Sequence, residues 1–269
     1  MLPVFDSHAH YFDARFTSSE CPAGGEALLR SLFGKGTVAG IVNVGTDIPS
    51  SLAAIAQAKQ FPRMYVAAGI HPSDAQRYPR MQEELDRLEE LLQGAKENKI
   101  VALGEIGLDY HYEETDRKKQ AEYLDAQLAL ACRYQMPVII HDREAHGDCF
   151  DALCRYPALT GVLHSYSGSE EMARDLIRRG FYVSFSGTIT FKNATKIVAV
   201  AAAMPHDRVL IETDCPYLAP HPCRGQLNHS GLLLHTAQKL GALWGVTYDE
   251  VAAVTAENAK HLFRIREVG

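Results

Sequence analysis

The feature that most constrains this chain is an alternation. Short, near-continuous apolar runs recur, separated by longer amphipathic stretches. VAGIVNV, IVALGEI, MPVII and RVLIE are the clearest of these runs. A strand covered by helices on both faces reads this way, because neither face meets water. Eight runs qualify as strands: Pro3–Ser7, Val38–Val44, Met64–Ile70, Ile100–Ile106, Pro137–Ile140, Gly161–His164, Phe181–Phe185 and Arg208–Thr213. Helical periodicity falls between them. Met81 to Gln93 puts Leu85, Leu88 and Leu92 on one face, and Asp116 to Tyr134 does the same with Leu124, Leu128 and Ala131. Glu170 to Arg179 and a Thr247-initiated stretch from Val246 to Phe263 read as further helices. Strands alternating with helices imply a parallel sheet. With eight strands in 269 residues, the expected architecture is a closed TIM-type (β/α)8 barrel, one domain spanning 1–269. An open doubly wound sheet is the competing arrangement, but its Gly-rich nucleotide turn is missing from this sequence.

The polar residues are placed with equal regularity. His8-Ala9-His10 follows the first run and His71-Pro72 the third. Glu105 lies at the end of the fourth, with Asp109 just beyond it. The fifth runs into His141-Asp142-Arg143, the sixth ends in His164-Ser165, and the eighth in Glu212-Thr213-Asp214. In a (β/α)8 barrel all strand C-termini meet at one mouth, where active sites are built. Residues far apart in sequence therefore become neighbours. His8 and His10, two apart on a strand, point to one side and can address one ion. Imidazole and carboxylate together suit Zn2+ and similar divalent metals. Glu105 can bridge two ions, His141 and His164 can hold the second, and Asp214 can bind the first and take a proton from a metal-activated water.

Bland readings apply elsewhere. His111, His146, His206, His221, His229, His235 and His261 are read as surface or hydrogen-bonded histidines. Asp109 and Tyr110 are read as loop braces, Cys215 as a packing residue, and the acidic run Glu83 to Glu90 as a solvated helix face.

Composition narrows the partners. The net charge of −6 excludes the broad basic surface that wrapping duplex DNA needs, but leaves room for one phosphate at a metal centre. No apolar run approaches the roughly 18 residues of a membrane span, and MLPVFDSHAH lacks the basic and apolar regions of a secretory signal. The six cysteines (Cys21, Cys132, Cys149, Cys154, Cys215 and Cys223) form no C-x-x-C pair and read as free thiols of a reducing compartment. The expected location is the cytosol.

Taken in order, FDSHAH, GIHP, GEIGLDY, PVIIHDREA, LHSYSGS, SGTITFKNA and LIETDCPYLAP resemble the TatD family of metal-dependent hydrolases, over Phe5 to Phe263. The resemblance implies a (β/α)8 barrel and two divalent ions (Zn2+, Mg2+ or Mn2+). It also implies phosphodiester hydrolysis, typically as a 3′-to-5′ deoxyribonuclease. His8, His10, Glu105, His141, His164 and Asp214 match the metal positions. Glu105 stands where some relatives in the wider superfamily use a carboxylated lysine. Asp214 matches the general base, and His71 a substrate-contacting histidine. Arg143 and Arg224 suit phosphate through their guanidinium forks, or else pair with nearby carboxylates or solvent. Two departures concern substrate choice. Ser165 and Tyr166 replace a common Cys-Phe pair, and the stretch from Arg224 to Asn228, His229 and Ser230 lacks the usual proline.

A narrow mouth without a basic groove suits single strands. The expected activity is 3′-5′ exonucleolytic cleavage of single-stranded DNA by a monomer without an obligate protein partner. Ester or amide hydrolysis on the same site, for example of an aminoacyl ester, is the alternative, and a non-catalytic barrel a third.

Overall fold

The computed structural model describes residues 1–75 and 77–266. Gln76 and residues 267–269, included in the expected 1–269 span, lie outside the described residues. The eight strands are β1 (Val4–Ala9), β2 (Val38–Val44), β3 (Met64–Ala68), β4 (Ile100–Asp109), β5 (Val138–Arg143), β6 (Gly161–Leu163), β7 (Tyr182–Phe185) and β8 (Val209–Ile211). They pair in parallel, each with its sequence neighbour, in the order β1 to β8. This is the (β/α)8 barrel.

The helices are α1 (Gly25–Gly34), α2 (Ile48–Ala58), α3 (Pro72–Ala75), α4 (Met81–Gln93), α5 (Arg117–Tyr134), α6 (His146–Cys154), α7 (Glu170–Arg178), α8 (Thr195–Ala203), α9 (Leu233–Trp244) and α10 (Tyr248–Leu262). Local chemistry sets several starts. Asp47 and Thr247 form capping boxes with Ser50 and Glu250, while Asp116 and Ser169 cap α5 and α7. Each cap satisfies amide groups that the first helical turn leaves without partners.

One buried cluster draws Phe5, Val42, Ala67, Ala102, Ile139, Val162, Tyr182 and Leu210 from the eight strands and joins them to Val44 and to Ala256, Ala259, Leu262 and Phe263 at the C-terminal end of the chain's last helix. A larger cluster lies between strands and helices.

The barrel closes differently from the way it pairs elsewhere. Beyond β8 the chain meets β1 through one isolated bridge, Ala9 with Cys215. Asp214 N–H donates to His8 O (2.9 Å) and His10 N–H to Cys215 O (2.8 Å). Beneath this seam lies Asp6, fully buried. It accepts from Thr213 N (3.0 Å), Thr213 Oγ1 (2.6 Å) and Ser230 Oγ (2.7 Å). Ser230 N–H also donates to Tyr11 Oη (3.0 Å). The serine at the place of the usual proline thus supplies two hydrogen bonds that a proline cannot make.

Several boundaries shift from expectation. Polar residues read as strand ends prove to be strand. The β4–β5 ladder continues through Gly107–His141, Leu108–Asp142 and Asp109–Arg143. Gly107 makes this possible: its φ is 151°, and a side chain there would collide with the His141 carbonyl. β3, β6 and β8 stop short, at Ala68, Leu163 and Ile211.

Candidate metal centre

Strand ends position the six expected ligands. His8 lies within β1 and His10 just after it; Glu105 and His141 lie inside β4 and β5; His164 follows β6. Asp214 adopts the left-handed conformation (φ 56°), which Asp tolerates better than most residues. It is held by its own N–H donating to the His8 carbonyl (2.9 Å) and by Tyr217 N–H donating to its carbonyl (3.0 Å).

All six converge, and they fall into two groups around Glu105. Glu105 Oε2 stands 3.3 Å from His8 Nε2 and 3.8 Å from His10 Nε2. Asp214 Oδ1 completes that group at 3.3 Å from His10 Nε2 and 3.8 Å from His8 Nε2. Glu105 Oε1 instead stands 2.9 Å from His141 Nδ1 and 2.8 Å from His164 Nε2, which are 3.2 Å from each other. Each carboxylate oxygen therefore faces its own set of nitrogens.

The fit to metal can be tested on the rings' outer nitrogens. His10 Nδ1–H donates to the Val44 carbonyl (2.6 Å), leaving the Nε2 lone pair directed inward. His141 Nε2 meets Asp109 Oδ2 (3.0 Å) and His164 Nδ1 meets Glu212 Oε1 (3.2 Å), so Nδ1 and Nε2 respectively face the centre. His8 and His10 present Nε2 atoms 3.1 Å apart. Ligands at about 2.05 Å from a tetrahedral Zn2+ are separated by about 3.3 Å. The donor set and its spacing therefore fit divalent metal. His71 differs. Its Nδ1 accepts from Ser73 N–H (3.1 Å), so a neutral ring carries its proton on Nε2, 3.5 Å from Glu105 Oε1. Burial pushes its pKa down to about 3, keeping it neutral. In the metal-free ring Nε2 is thus a hydrogen-bond donor turned towards Glu105, and His71 also stands with Glu105 and His141 in a group spaced to hold an ion.

Charge is concentrated here. Burial alone would raise the Glu105 carboxyl, but His164, His71 and His8 around it hold it well below the usual range. Asp214, opposed in the same way by burial and favoured by the His10 hydrogen bond, is also lowered. Burial works against protonated His164, yet Glu105 and Glu212 raise its pKa well above the ordinary value. His141 is raised against burial by Asp109 and Glu105, and His10 by Asp214. His8 is lowered by burial and by His164. The carboxylates around the centre favour positive charge among the imidazoles, the same preference that would favour a bound cation.

A cavity of about 470 Å³ opens above the centre, lined by Arg143, Ser165, Tyr166, Thr188, Tyr217 and Leu218 along with His141, His164 and Asp214. Arg143 is exposed there. Its neighbours are engaged elsewhere, Asp142 with His146 (2.8 Å) and Glu144 with His111 (2.7 Å). Arg224 lies instead with its guanidinium 3.8 Å over the Phe191 ring, away from the cavity lining. The Ser165 hydroxyl meets Ser186 Oγ (2.9 Å), and Tyr166 Oη donates to Ser169 O (2.7 Å), so both departures near β6 are absorbed into the wall.

Sequence reasoning read Asp109 as a loop brace and gave Glu212, Gln120 and Gln127 no role, yet these residues stand behind the centre. Asp109 and Glu212 contact the outer nitrogens of His141 and His164. Gln120 and Gln127 of α5 pin the ends of β4 and β3: Gln120 Oε1 accepts from Asp109 N (2.9 Å) and Gln127 Oε1 from Ile70 N (2.8 Å). Two glutamines seven residues apart within the apolar stripe of α5 were the available clue.

A barrel with this donor set at its mouth is the framework of a metal-dependent hydrolase, and the family profile for TatD-related DNases matches residues 5–264. The chain belongs to that family and is a metal-dependent hydrolase. It is 39% identical to the Bacillus subtilis protein YabD, described as an uncharacterized metal-dependent hydrolase, over 97% of this chain and 99% of that one. With Escherichia coli YcfH, described in the same words, it shares 40% identity over 74% and 73%. The crystal structure of E. coli YjjV, a TatD homologue, superposes with a TM-score of 0.87 at 29% identity and covers 98% of both chains. No helix among the described residues is long and apolar enough to cross a membrane.

Proposed function

We propose that the chain, a single catalytic domain over residues 1–269, hydrolyses phosphodiester bonds at nucleic-acid ends, removing nucleotides from the 3′ end of single-stranded DNA. The observation that carries this is Glu105, which turns one oxygen to His8 and His10, themselves faced by Asp214, and the other to His141 and His164. That is the arrangement a two-ion centre needs. Bound there, two divalent ions would acidify a coordinated water and neutralise charge on the phosphoryl group.

The residues have distinct tasks. Asp214, at the cavity floor, accepts the proton of the attacking water. His71 donates from Nε2 to a non-bridging phosphoryl oxygen, and Arg143 clamps phosphate from the exposed wall. Arg224, stacked on Phe191, meets substrate only where the strand leaves the mouth. The family's description as DNases supports the substrate class, and the confined cavity and net charge of −6 favour a single strand over a duplex. We assign the activity to a cytosolic monomer.

The test is digestion of 5′-labelled single-stranded DNA after chelation, with Mg2+, Mn2+ or Zn2+ restored singly and Asp214→Asn alongside. A metal-dependent ladder receding from the 3′ end, reduced about 10²- to 10⁴-fold in the variant, is the expected result. Bound metal without cleavage under any condition would transfer the site to ester or amide substrates.

A further inference from the structure

The two halves of the centre are backed by different chemistry. The group containing Asp214 has a terminal carboxylate of its own, and its histidines lean on neutral surroundings. His10 Nδ1 donates to the Val44 carbonyl, and His8 Nδ1 is buried without a hydrogen-bond partner among the described residues. The other group has no terminal carboxylate, only Glu105 Oε1. Both of its histidines lean on buried carboxylates instead: His141 Nε2 on Asp109 Oδ2 (3.0 Å) and His164 Nδ1 on Glu212 Oε1 (3.2 Å).

Glu212 is the sharper of the two. It is fully buried, His164 is its one ion-pair partner among the described residues, and Ser165 N–H donates to Oε1 (2.8 Å). Its Oε2 has no hydrogen-bond partner among the described residues. A carboxylate in that position is costly unless cationic charge lies close by. Asp109 is held with similar care. Its Oδ1 accepts from His111 N–H (3.0 Å), and Gln120 grips its backbone on both sides (2.9 and 3.1 Å).

We infer that Glu212 and Asp109 are positioning residues that supply, through His164 and His141, the negative charge missing from the direct ligands of the second ion. The second ion therefore depends on them, and the first does not. A carboxylate behind a ligating imidazole fixes its tautomer, orients the ring and makes it a better donor. Here that device appears twice on one side of Glu105 and is absent from the other. The inference rests on the two-ion reading above but not on the nature of the substrate.

The experiment is a Co2+ titration of the metal-free full-length protein, followed by visible absorption with chelator competition. The wild type should take up two ions in resolvable steps. Glu212→Gln and Asp109→Asn, which keep shape and remove charge, should each leave one step unchanged and weaken the other by about 10- to 100-fold. Asp214→Asn should weaken the step those two variants spare. Equal weakening of both steps by Glu212→Gln and Asp109→Asn, or of neither, overturns the inference. A wild type that binds a single ion overturns the two-ion reading itself. Circular dichroism of each metal-free variant establishes folding, and Asp109→Asn decides the matter alone if Glu212→Gln does not fold.

Discussion

The barrel has a long-stranded arc and a short-stranded one. β1, β2, β4 and β5 run for six, seven, ten and six residues, whereas β6, β7 and β8 have three, four and three. On the long arc His8, Glu105 and His141 lie within strands: His141 pairs with Gly107 in the ladder, while His8 and Glu105 stand where the register shifts and are held by single backbone bonds, Asp214 N–H to the His8 carbonyl (2.9 Å) and Glu105 N–H to the Gly45 carbonyl (3.1 Å). On the short arc His164 and Asp214 stand beyond the last paired residue. Single backbone bonds and side chains hold them: His164 N–H donates to the Ile140 carbonyl (3.0 Å) with Glu212 behind its ring, and Asp214 N–H donates to the His8 carbonyl (2.9 Å) above the Asp6–Thr213–Ser230 network. Asn228 adds to this, donating to the carbonyls of Thr213 (2.9 Å) and Tyr217 (2.6 Å). A fully satisfied buried network rigidifies what it holds, as around Asp6, whereas Glu212 keeps Oε2 without a hydrogen-bond partner among the described residues. The two arcs should therefore fail in different ways.

The largest effect is expected at the long arc's bridging residue. Glu105→Gln should lose both ions and reduce DNA hydrolysis by about 10³-fold, equivalent to roughly 4 kcal/mol, with little change in the fold. Metal analysis beside kinetics checks this. Two ions retained at wild-type affinity would remove Glu105 from the centre of the comparison.

Asp6→Ala strikes the short arc through its seam and should show as instability first. It strands the Thr213 amide and two hydroxyls, so unfolding should become easier by about 3 kcal/mol, a fall in Tm of roughly 5–10 °C. Thermal melts decide it. A loss below about 1 kcal/mol would mean that the single bridge at Ala9 and Cys215 closes the barrel by itself.

The smallest effect is a matter of pH. His164, His141 and His10 have folded pKa values above the ordinary histidine value, raised by the neighbouring carboxylates, so each holds its proton to a higher pH than a free imidazole does. Metal requires the neutral rings, so binding should release protons, and affinity should rise with pH and fall on acidification. Without metal, the raised histidines contribute stability that is full below about pH 6.5 and lost as pH climbs through their folded values. The lowered Glu105 and Asp214 contribute stability present above the usual carboxylate range and lost on acidification. Calorimetry in buffers of different ionisation enthalpy measures the released protons. Binding heats identical in all buffers would contradict the assignment.

Much of this was legible in the chain. Apolar runs such as VAGIVNV announced strands covered on both faces, because burying backbone polar groups on two sides leaves few alternatives to a parallel ladder. The histidines and carboxylates ending those runs had to meet, since closing eight parallel strands brings their C-termini to one mouth. The fold and the composition of the centre were therefore local matters, written in residue type and spacing. What the sequence did not hold was the division of labour. Which Glu105 oxygen faces which histidines, where Arg224 stacks, and which imidazoles are backed by Asp109 and Glu212 all depend on contacts between residues tens of positions apart. Those contacts exist only once the barrel has closed, because hydrogen bonds and field strength fall off over a few ångströms and sequence distance says nothing about ångströms.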